Sequence, residues 1–433
     1  MADSTGREAV AAVWRIESAR IVGALARYTG DFAMAEDLAQ EALAEALVTW
    51  PRDGVPRAPA SWLLTVGRRR AIDAFRRGSA LDQRYAALAH GLGEGGAVSG
   101  GAPADPVREA EDVLWDPDRI DDDVLALMFV SCHPVLSREA RVALALRVVG
   151  GLTSDEIAKV FLVPTATVQA RITRAKKALA AARVPFAVPA AEERAERLGS
   201  VLSVVYLIFT EGSSAGAGKE LIRFDLASEA LRLARVVSRL MPDEPEVHGL
   251  LALLELTAAR FPARVGPDGR PVLLEDQDRR RWDRSAIRRG RAALARAEAA
   301  GRGLGAYGLQ AAIAECHALA PSVAATDWER VVLLYEALGR LAPSPVVDLN
   351  RAVAVSMARG PAAALPIVDE LVAAEALAGS PLLPGVRGEL LVRLGRTDEA
   401  RAELEHAVRL CGNERERAVL EGKLAALAEP RAR

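Results

Sequence analysis

Cysteine is scarce in this sequence. Its 433 residues include only Cys132, Cys316 and Cys411. An odd number of widely spaced cysteines excludes a disulfide framework and a CxxC zinc site. His133 and His317 follow two of them, but neighbours in sequence on a helix point in different directions, so core packing is favoured over metal ligation. We therefore expect no metal site.

Long apolar runs are also missing. The longest, Val201–Phe209, falls far short of the roughly 20 residues that cross a bilayer. Residues 1–18 lack the charged start and the apolar core of a signal peptide. These absences predict a cytoplasmic chain with no membrane partner.

Aromatic residues make up 4% of the chain, whereas 51% of its residues are hydrophobic. Alanine dominates and β-branched alternation is rare, which favours helices packed on helices over sheets. The length suggests about two to four domains. The formal net charge is only −2, so any contact with nucleic acid needs a local basic surface. We expect an all-α protein.

Groups typical of a catalytic site are missing too. Only five histidines occur, and no Ser/His/Asp order or paired-carboxylate framework stands out. Residues 211–220, EGSSAGAGKE, resemble a phosphate-binding loop. However, Ser213 stands where the first glycine belongs, and Glu220 follows Lys219 where Ser or Thr would bind magnesium. The segment is interpreted as a helix connection, and we expect no catalytic residues and no cofactor.

The chain divides into four parts by composition. Residues 1–78 read as helices, with a break at Trp50–Pro59 where glycine and proline cluster. Residues 79–123 are first glycine-rich and then acidic, which is typical of a flexible linker. Residues 124–189 form a second small helical domain. Residues 190–433 are a large and strongly helical extension.

The extension contains a repeated layout. Val346–Val372 and Pro384–Val408 each read as helix, glycine turn and Ala/Leu-rich helix, and the turns at Gly360 and Gly395 are 35 residues apart. This spacing is close to the period of about 34 residues of tetratricopeptide repeats, in which each helix hairpin buries its face only by stacking on its neighbours. Asp225–Leu256 is a looser hairpin. We predict an irregular α-solenoid.

Leu152–Leu179 predicts two helices joined by a short turn. Thr153 and Glu156 have the spacing of a capping box, in which each side chain accepts from a free backbone N–H of the other residue. Pro164 ends the turn and suits the start of the second helix. The second helix has an apolar stripe at helical spacing, formed by Val168, Ile172, Ala175 and Leu179.

The outward face of this second helix is basic and polar. No acidic residue occurs between Thr165 and Arg183, whereas a merely solvated face usually alternates in sign. Arg and Lys suit phosphates and guanine edges, Gln suits adenine, and Thr suits phosphate or the thymine methyl. We predict a DNA-reading helix-turn-helix. Its candidate contacts are Thr165, Thr167, Gln169, Arg171, Thr173, Arg174, Lys176 and Lys177.

A second basic helix is predicted at residues 60–77. Its apolar stripe would consist of Leu64, Gly67, Ala71 and Phe75. Trp62 would either stack on an unpaired base, a contact worth ~1–3 kcal/mol, or close a small helical core, and both interpretations stay open. The candidate nucleic-acid contacts of this helix are Trp62, Arg69, Arg70, Asp73, Arg76 and Arg77.

An acidic helix is predicted at residues 31–47. Its polar face carries Asp37, Gln40 and Glu41. An acidic face in a chain whose other helices bind DNA points to a basic protein partner, although many glutamate-rich faces are only solvated. These three residues are the candidate protein-binding set.

These motifs, in this order, resemble the bacterial sigma-70 family in its small extracytoplasmic-function (ECF) form. Ala35–Leu47 is similar to the core-polymerase-binding helix of sigma domain 2, and Pro59–Arg77 is similar to its helix for promoter melting and minus-ten recognition. Leu152–Leu179 resembles the domain 4 helix-turn-helix that reads the minus-35 element. The extension, with sequence such as APSPVVDLNRAV, is similar to the ECF subgroup that carries a tetratricopeptide-like domain.

The resemblance implies a role for each set of residues. The acidic set would meet the beta-prime clamp helices of core RNA polymerase. The set on residues 60–77 would approach the minus-ten region, and the helix-turn-helix set would approach the minus-35 major groove. The sequence departs from the family at Leu162, where Gly is usual, at Pro164, where a polar cap is usual, and at Arg69, where Asn is frequent.

A promoter-specificity subunit without covalent chemistry is the function that the resemblance implies. Its two DNA-binding domains would act together, because each contact becomes intramolecular once the other is made. The acidic stretch Asp105–Asp123 would thread a basic channel of the polymerase or serve as a spacer. The solenoid would bind a regulatory protein or peptide and control sigma activity in cis. The alternative is a helix-turn-helix regulator that binds its operator without polymerase.

Overall fold

The computed structural model describes residues 2–90, 117–161, 163–213, 224–266, 271–412 and 414–428. Within these ranges every regular element is a helix, apart from one isolated antiparallel bridge between Val265 and Pro271. Contacts divide the chain into two compact units, Met1–Val204 and Val205–Arg433. The prediction of an all-α protein is confirmed.

Three helices open the first unit: α1, Ala2–Thr29; α2, Phe32–Asp53; and α3, Pro59–His90. Asp31 caps α2, because its carboxylate accepts hydrogen bonds from two backbone N–H groups of the first turn. The break predicted at Trp50–Pro59 is shorter in the structure. Helix α2 runs through Pro51 and ends where Gly54 adopts a φ of 88°, a conformation that glycine adopts without strain.

The apolar stripe of α3 differs from the prediction at one end. Leu64, Gly67 and Ala71 are buried as expected, but Phe75 is 45% exposed. Its ring lies 6.3 Å from the ring of Tyr28, centroid to centroid. The prediction that Phe75 shares the buried stripe is wrong, since α1 ends one residue after Tyr28.

Five helices follow: α4, Pro117–Ser131; α5, Arg138–Val148; α6, Ser154–Phe161; α7, Thr165–Ala181; and α8, Ala191–Ser213. Helix occupies both ends of the range 79–123 that the sequence predicted as a linker, since α3 reaches His90 and α4 begins at Pro117. The residues after Ser79 include Ala, Leu, Gln and Arg, which favour continued helix. The middle of the predicted linker, residues 91–116, lies outside the described residues.

The first half of α8 packs onto α4 and α5. The hydroxyl of Ser200 donates to the carbonyl of Cys132 at 2.5 Å, and Arg141 donates to the Ser200 hydroxyl at 2.8 Å. Contacts assign the chain as far as Val204 to the first unit. The extension predicted to start at residue 190 therefore begins with a helix that belongs partly to the preceding domain.

Among its described residues, the second unit contains the end of α8, the helices α9 to α19 and one 3-10 turn, Arg279–Arg281. The helices α9 to α19 are, in order, Phe224–Leu240, Pro245–Ala258, Phe261–Arg264, Arg284–Ala299, Ala306–Leu319, Trp328–Leu341, Pro345–Arg359, Pro361–Ala373, Leu382–Arg393, Thr397–Leu410 and Glu414–Ala428. From α12 to α19, helices that follow each other in the chain pack side by side, as they do in a solenoid. Helix α10 instead contacts α9, α12 and α13, which makes the stack irregular.

The predicted hairpins are confirmed. Gly360, with a φ of 91°, joins α15 to α16, and Gly395, with a φ of 75°, lies between α17 and α18. Such positive φ angles favour glycine. The looser hairpin is α9 and α10, and its turn covers residues 241–244.

Helix α10 holds its neighbours by a buried charge and by close backbone contact. The carboxylate of Glu255 accepts from Arg235 of α9 at 2.6 Å and from Arg289 of α12 at 2.9 Å. Gly249 approaches α13 so closely that an added Cβ would lie 2.6 Å from the backbone nitrogen of Gly308. These contacts fix three helices around α10.

Candidate nucleic-acid interface

Helices α6 and α7 form the helix-turn-helix that the sequence predicts. The backbone N–H of Thr153 donates to Glu156 Oε2 at 2.7 Å, and the Glu156 N–H donates to Thr153 Oγ1 at 3.1 Å. The capping box is therefore confirmed. Pro164 precedes α7 without a side-chain cap, and the Thr165 hydroxyl instead donates to Asp155 Oδ1 of α6 at 2.8 Å. This bond joins the two helices across the turn.

Helix α7 presents two different faces. Its buried residues are Val168, Ile172, Ala175 and Leu179, as predicted. Among the predicted DNA contacts, those exposed are Gln169, Thr173, Arg174 and Lys177, and those half-buried are Thr165, Thr167 and Arg171. A face that combines cations with hydrogen-bonding side chains is suited to phosphates and base edges.

A ladder of ion pairs joins α2 to α3. Arg70 lies 2.8 Å from both Glu41 and Glu45, and Arg69 lies 3.0 Å from Glu45. The hydrogen bond from Arg70 lowers the pKa of Glu45, burial opposes this effect, and the charge of Arg69 adds to it. Arg69 and Arg70, which were predicted to contact DNA, are thus neutralised by two glutamates. One of these is Glu41, which was predicted to contact a protein partner, and the other is Glu45. Sequence reasoning missed Glu45.

A shallow groove of 480 Å³ runs between α2 and α3. Its lining brings together residues of both predicted sets: Asp37, Glu41, Arg70, Asp73 and Arg77. Gln40 is half-buried on α2, and Arg76 is exposed on α3. The groove is therefore a surface on which acidic and basic side chains lie close together.

Trp62 packs against the domain core. Its half-buried ring lies 5.6 Å from the ring of Trp50 in an edge-to-face arrangement at 70°. Such aromatic pairs are favourable packing contacts. The geometry agrees with the core-closing interpretation, and base stacking by Trp62 stays a prediction.

Lys176 does not share the open face of α7. Its side chain is only 15% exposed, because Nζ lies 2.5 Å from Glu36 and 2.6 Å from Asp37 of α2. Arg147 of α5 lies 3.4 Å from the other carboxylate oxygen of Glu36. We name these four residues the clasp. The expectation that Lys176 faces outward beside Lys177 is wrong in this conformation, since α2 covers it.

Charge complementarity keeps Lys176 ionised. Burial alone would lower the pKa of Lys176, but the two carboxylates outweigh it, so this pKa lies above its usual value. Sequence reasoning missed Glu36 and Arg147. A signal for Glu36 was present, because it falls at helical spacing between Phe32 and Ala39 on the apolar face of α2. A carboxylate on such a face is seldom buried without a partner.

A second contact lies beside the clasp. Arg15 of α1 donates to Glu156 Oε1 at 2.6 Å, on the same carboxylate that caps α6. Gly151 adopts a φ of 69° against α1, where an added Cβ would lie 2.6 Å from Ser18 Oγ. The helix-turn-helix thus packs against α1 and α2.

The cysteines that were considered as metal ligands are packed in the protein interior. Cys132, Cys316 and Cys411 are buried and none of them forms a disulfide, and burial raises the pKa of Cys132 to about 12. Across the described ranges, no cluster of three or more His, Cys, Asp or Glu side chains has a geometry that could hold a metal ion. None of the described helices combines the length and the apolar character that crossing a membrane requires.

Comparison with known families finds a match for each of the two regions that form this interface. Residues 15–80, which contain α2 and most of α3, match Sigma-70 region 2, and residues 126–179, which contain α6 and most of α7, match Sigma-70, region 4. The chain belongs to the sigma-70 family. Sigma factors are DNA-binding proteins of transcription initiation and are not enzymes. Both regions imply core RNA polymerase and promoter DNA as partners.

This sigma factor also carries a C-terminal extension. Residues 197–298 match a family of unknown function (DUF6596). An uncharacterized protein of Rhizobium meliloti (strain 1021) is 46% identical over 413 residues, covering 94% of this chain and 93% of the relative. The similarity therefore extends over both sigma regions and most of the extension. No solved structure matches.

Proposed function

We propose that this sigma factor is of the ECF type and recruits core RNA polymerase to specific promoters in the cytoplasm. The observation that carries the proposal is the uncovered basic face of α7 in region 4, which follows a region 2 with its own basic helix. Two promoter elements require two such surfaces in one subunit. Each contact then raises the effective concentration of the other.

The proposed contacts keep the assignments that the resemblance implies. In region 4 they are the exposed side chains of α7, above all Gln169 and Arg174. In region 2 they are Arg69, Arg70, Asp73, Arg76 and Arg77 for the minus-ten region, and Asp37, Gln40 and Glu41 for the beta-prime clamp helices. Exposed ion pairs contribute only ~0–1 kcal/mol each, so promoter phosphates can replace the carboxylates that now hold the arginines of α3.

The proposed function requires the clasp to open. Lys176 belongs to the predicted DNA set and Asp37 to the predicted polymerase set, yet here they bind each other. Lys176, which is only 15% exposed, cannot reach DNA while the pair persists, and the exposed carboxylate of Asp37 is engaged by Lys176. We infer that this conformation is a resting state, and that polymerase binding at α2 releases the helix-turn-helix.

The second unit is the proposed regulatory part of the chain. Stacked helices of this kind form concave surfaces that bind other molecules, and the sequence contains no catalytic framework. We propose that a partner bound by the extension controls sigma activity in cis.

Run-off transcription from the DNA upstream of its own gene tests the proposed promoter role. Core polymerase is supplied alone, with the full chain, or with Arg174→Gln. We expect initiation to require the chain and to fall with Arg174→Gln, because an arginine that contacts DNA contributes ~1–3 kcal/mol. The matched control is Arg281→Gln, an exposed arginine of the second unit, which should leave initiation unchanged.

Two results would contradict the proposal. If no reaction initiates but the chain alone binds the same DNA, the protein is a helix-turn-helix regulator that acts without polymerase. If initiation is insensitive to Arg174→Gln, the open face of α7 does not read the promoter.

A further inference from the structure

The second unit contains an open groove of 850 Å³, which we name the C-terminal groove. Six apolar side chains line much of it: Leu273, Val353, Met357, Leu382, Val386 and Leu420. The first four are exposed to solvent. Apolar side chains that gather in one open groove mark an interaction site. The volume lies within the range of ~300–1,000 Å³ typical of sites for small molecules.

The C-terminal groove has an uncompensated positive charge in its lining. The Arg260 side chain forms no hydrogen bond or ion pair to any residue that the structure describes, and its pKa falls to about 10 because of burial and the nearby cations Arg264 and Arg279. Arg264, one turn away, donates to the carbonyl of Ser213 at 2.6 Å. A half-buried cation without a counter-charge is costly.

Further donors without acceptors lie next to Arg260. The guanidinium groups of Arg260 and Arg279 lie over the ring of Trp282, at 5.4 and 4.8 Å from its centre. Arg260 Nε, Arg279 Nη2 and Trp282 Nε1 are buried, and none has a hydrogen-bond partner in the described part of the chain. Nearly all buried donors in folded proteins have an acceptor. The packed side of Arg260 thus offers donors and no acceptor, so a counter-charge for its guanidinium has to come from the C-terminal groove, which Arg260 lines.

The acidic residues of the C-terminal groove leave this charge unbalanced. Three glutamates contribute to the lining. Glu389 is paired with Lys423 at 2.5 Å. Glu416 acts on Arg264, whereas the charges that shift the pKa of Arg260 are those of the cations Arg264 and Arg279. The C-terminal groove therefore combines a cationic point at Arg260 and Arg264 with a wall that is largely apolar.

We propose that the C-terminal groove binds an amphipathic organic acid. Its anionic head pairs with Arg260, and its apolar body lies against Leu382 and the neighbouring aliphatic side chains. Binding at this site rests on the geometry of the second unit alone. Its consequence, control of transcription by the acid, rests on the proposed function.

Calorimetric titration of the full chain with decanoate tests the proposal. Decanoate supplies a carboxylate and an apolar body, decanamide supplies the same body with a neutral head, and acetate supplies the head alone. We expect saturable binding of decanoate at one site, affinity at least tenfold lower for decanamide, and no binding of acetate. The difference follows because a hydrogen-bonded charge pair is worth more than the factor of ten that separates them.

Variants locate the binding site. Arg260→Gln should weaken decanoate at least tenfold and leave decanamide unchanged, and Leu382→Gln should weaken both. Arg340→Gln, an exposed arginine away from the C-terminal groove, should change neither. Leu382 is more than half exposed, so its substitution leaves the fold intact even if Arg260→Gln does not fold, and circular dichroism checks each variant.

Several results would overturn the proposal: no saturable binding of decanoate, equal affinity for decanamide, or decanoate binding that survives both Arg260→Gln and Leu382→Gln. Sedimentation of the same samples covers another occupant. A dimer that Leu382→Gln dissociates would assign the groove to a second copy of the chain, and the proposal would fail. Because calorimetry involves no polymerase, a negative result here leaves the proposed sigma function standing, and the reverse also holds.

Discussion

Glu36 is a buried carboxylate on which two cations from a different sigma region depend. It is 3% exposed and accepts from both Arg147 and Lys176. Hydrogen bonds to charged groups contribute about 1.5–3 kcal/mol, more than the exposed pairs elsewhere on this surface. Asp37 alone is exposed and would hold Lys176 weakly. The closed arrangement of the two regions therefore depends strongly on one side chain.

Acetylation of lysine measures the clasp directly. Lys176 should react several-fold more slowly with acetic anhydride than its neighbour Lys177, because Lys176 is covered and its pKa is raised. Glu36→Gln removes about 2 kcal/mol from the contact, so Lys176 should then react several-fold faster. Mass spectrometry of the resolved peptides gives both rates.

Lys177 is the internal control for this experiment, since it is exposed and should react at the same rate in both proteins. Equal rates for the two lysines in the unaltered chain would mean that the clasp is not closed in solution.

Because His317 is buried, we expect the second unit to lose stability at acid pH. Burial and the cations Arg260 and Arg279 lower its pKa to about 4, while Trp328 covers its ring edge to face. The unfolded chain, with a histidine pKa near 6.5, binds the proton more readily. Stability should thus be complete above pH 6.5 and fall by up to about 1.4 kcal/mol per pH unit towards pH 4.

Urea unfolding at pH 7 and pH 5 checks this expectation. The loss of stability between these values should be smaller in His317→Gln by about 1–2 kcal/mol. His406→Gln is the control, because His406 is exposed on α18. If His317→Gln and the unaltered chain lose the same free energy, His317 is not the titrating group.

At the scale of helices, α10 and α13 meet backbone to backbone. Gly249→Ala would place a Cβ 2.6 Å from a backbone nitrogen of α13, and such overpacking costs about 1–3 kcal/mol. Gly339→Ala on α14 is the matched control, since the nearest atom would lie 3.9 Å away and alanine favours helix by about 1 kcal/mol. Thermal unfolding should show a lower Tm for the first variant and an equal or higher Tm for the second. A Tm for Gly249→Ala at or above that of the unaltered chain would contradict the close contact.

Local patterns made most helices predictable. The capping box at Thr153, the stripe from Val168 to Leu179 and the glycine turns of the solenoid depend on residues close in sequence, where helical period and backbone angle decide the outcome. Phe75 and Lys176 were placed wrongly because their environment comes from α1 and α2, which lie far away in the chain. Single-sequence periodicity carries no information about such partners.

The two units of the molecule divide inside α8, and this position matters for any truncation. A chain that ends at Pro189 lacks Ser200, which bonds to both Cys132 and Arg141. A chain that ends at Val204 keeps these bonds. We expect the shorter version to be less stable to urea by about 2 kcal/mol, since it loses two partly buried hydrogen bonds of about 1 kcal/mol each. Equal stability would show that α8 is not needed by region 4.

The Val204 version also tests control by the extension. At equal protein concentration its run-off output should differ from that of the full chain, and the direction of the difference gives the sign of the control. Identical output across a range of concentrations would contradict regulation in cis.

The clasp also sets a threshold. If it stabilises the closed arrangement by about 2.8 kcal/mol, roughly one molecule in a hundred is open, and the apparent affinity for polymerase falls by the same factor. A few stray copies of such a protein would compete poorly against other sigma factors for a limited pool of core enzyme. A cell could therefore hold a pool of the closed protein with little effect on transcription from its other promoters. A modest rise in the open fraction would then redirect transcription without synthesis of more of this protein.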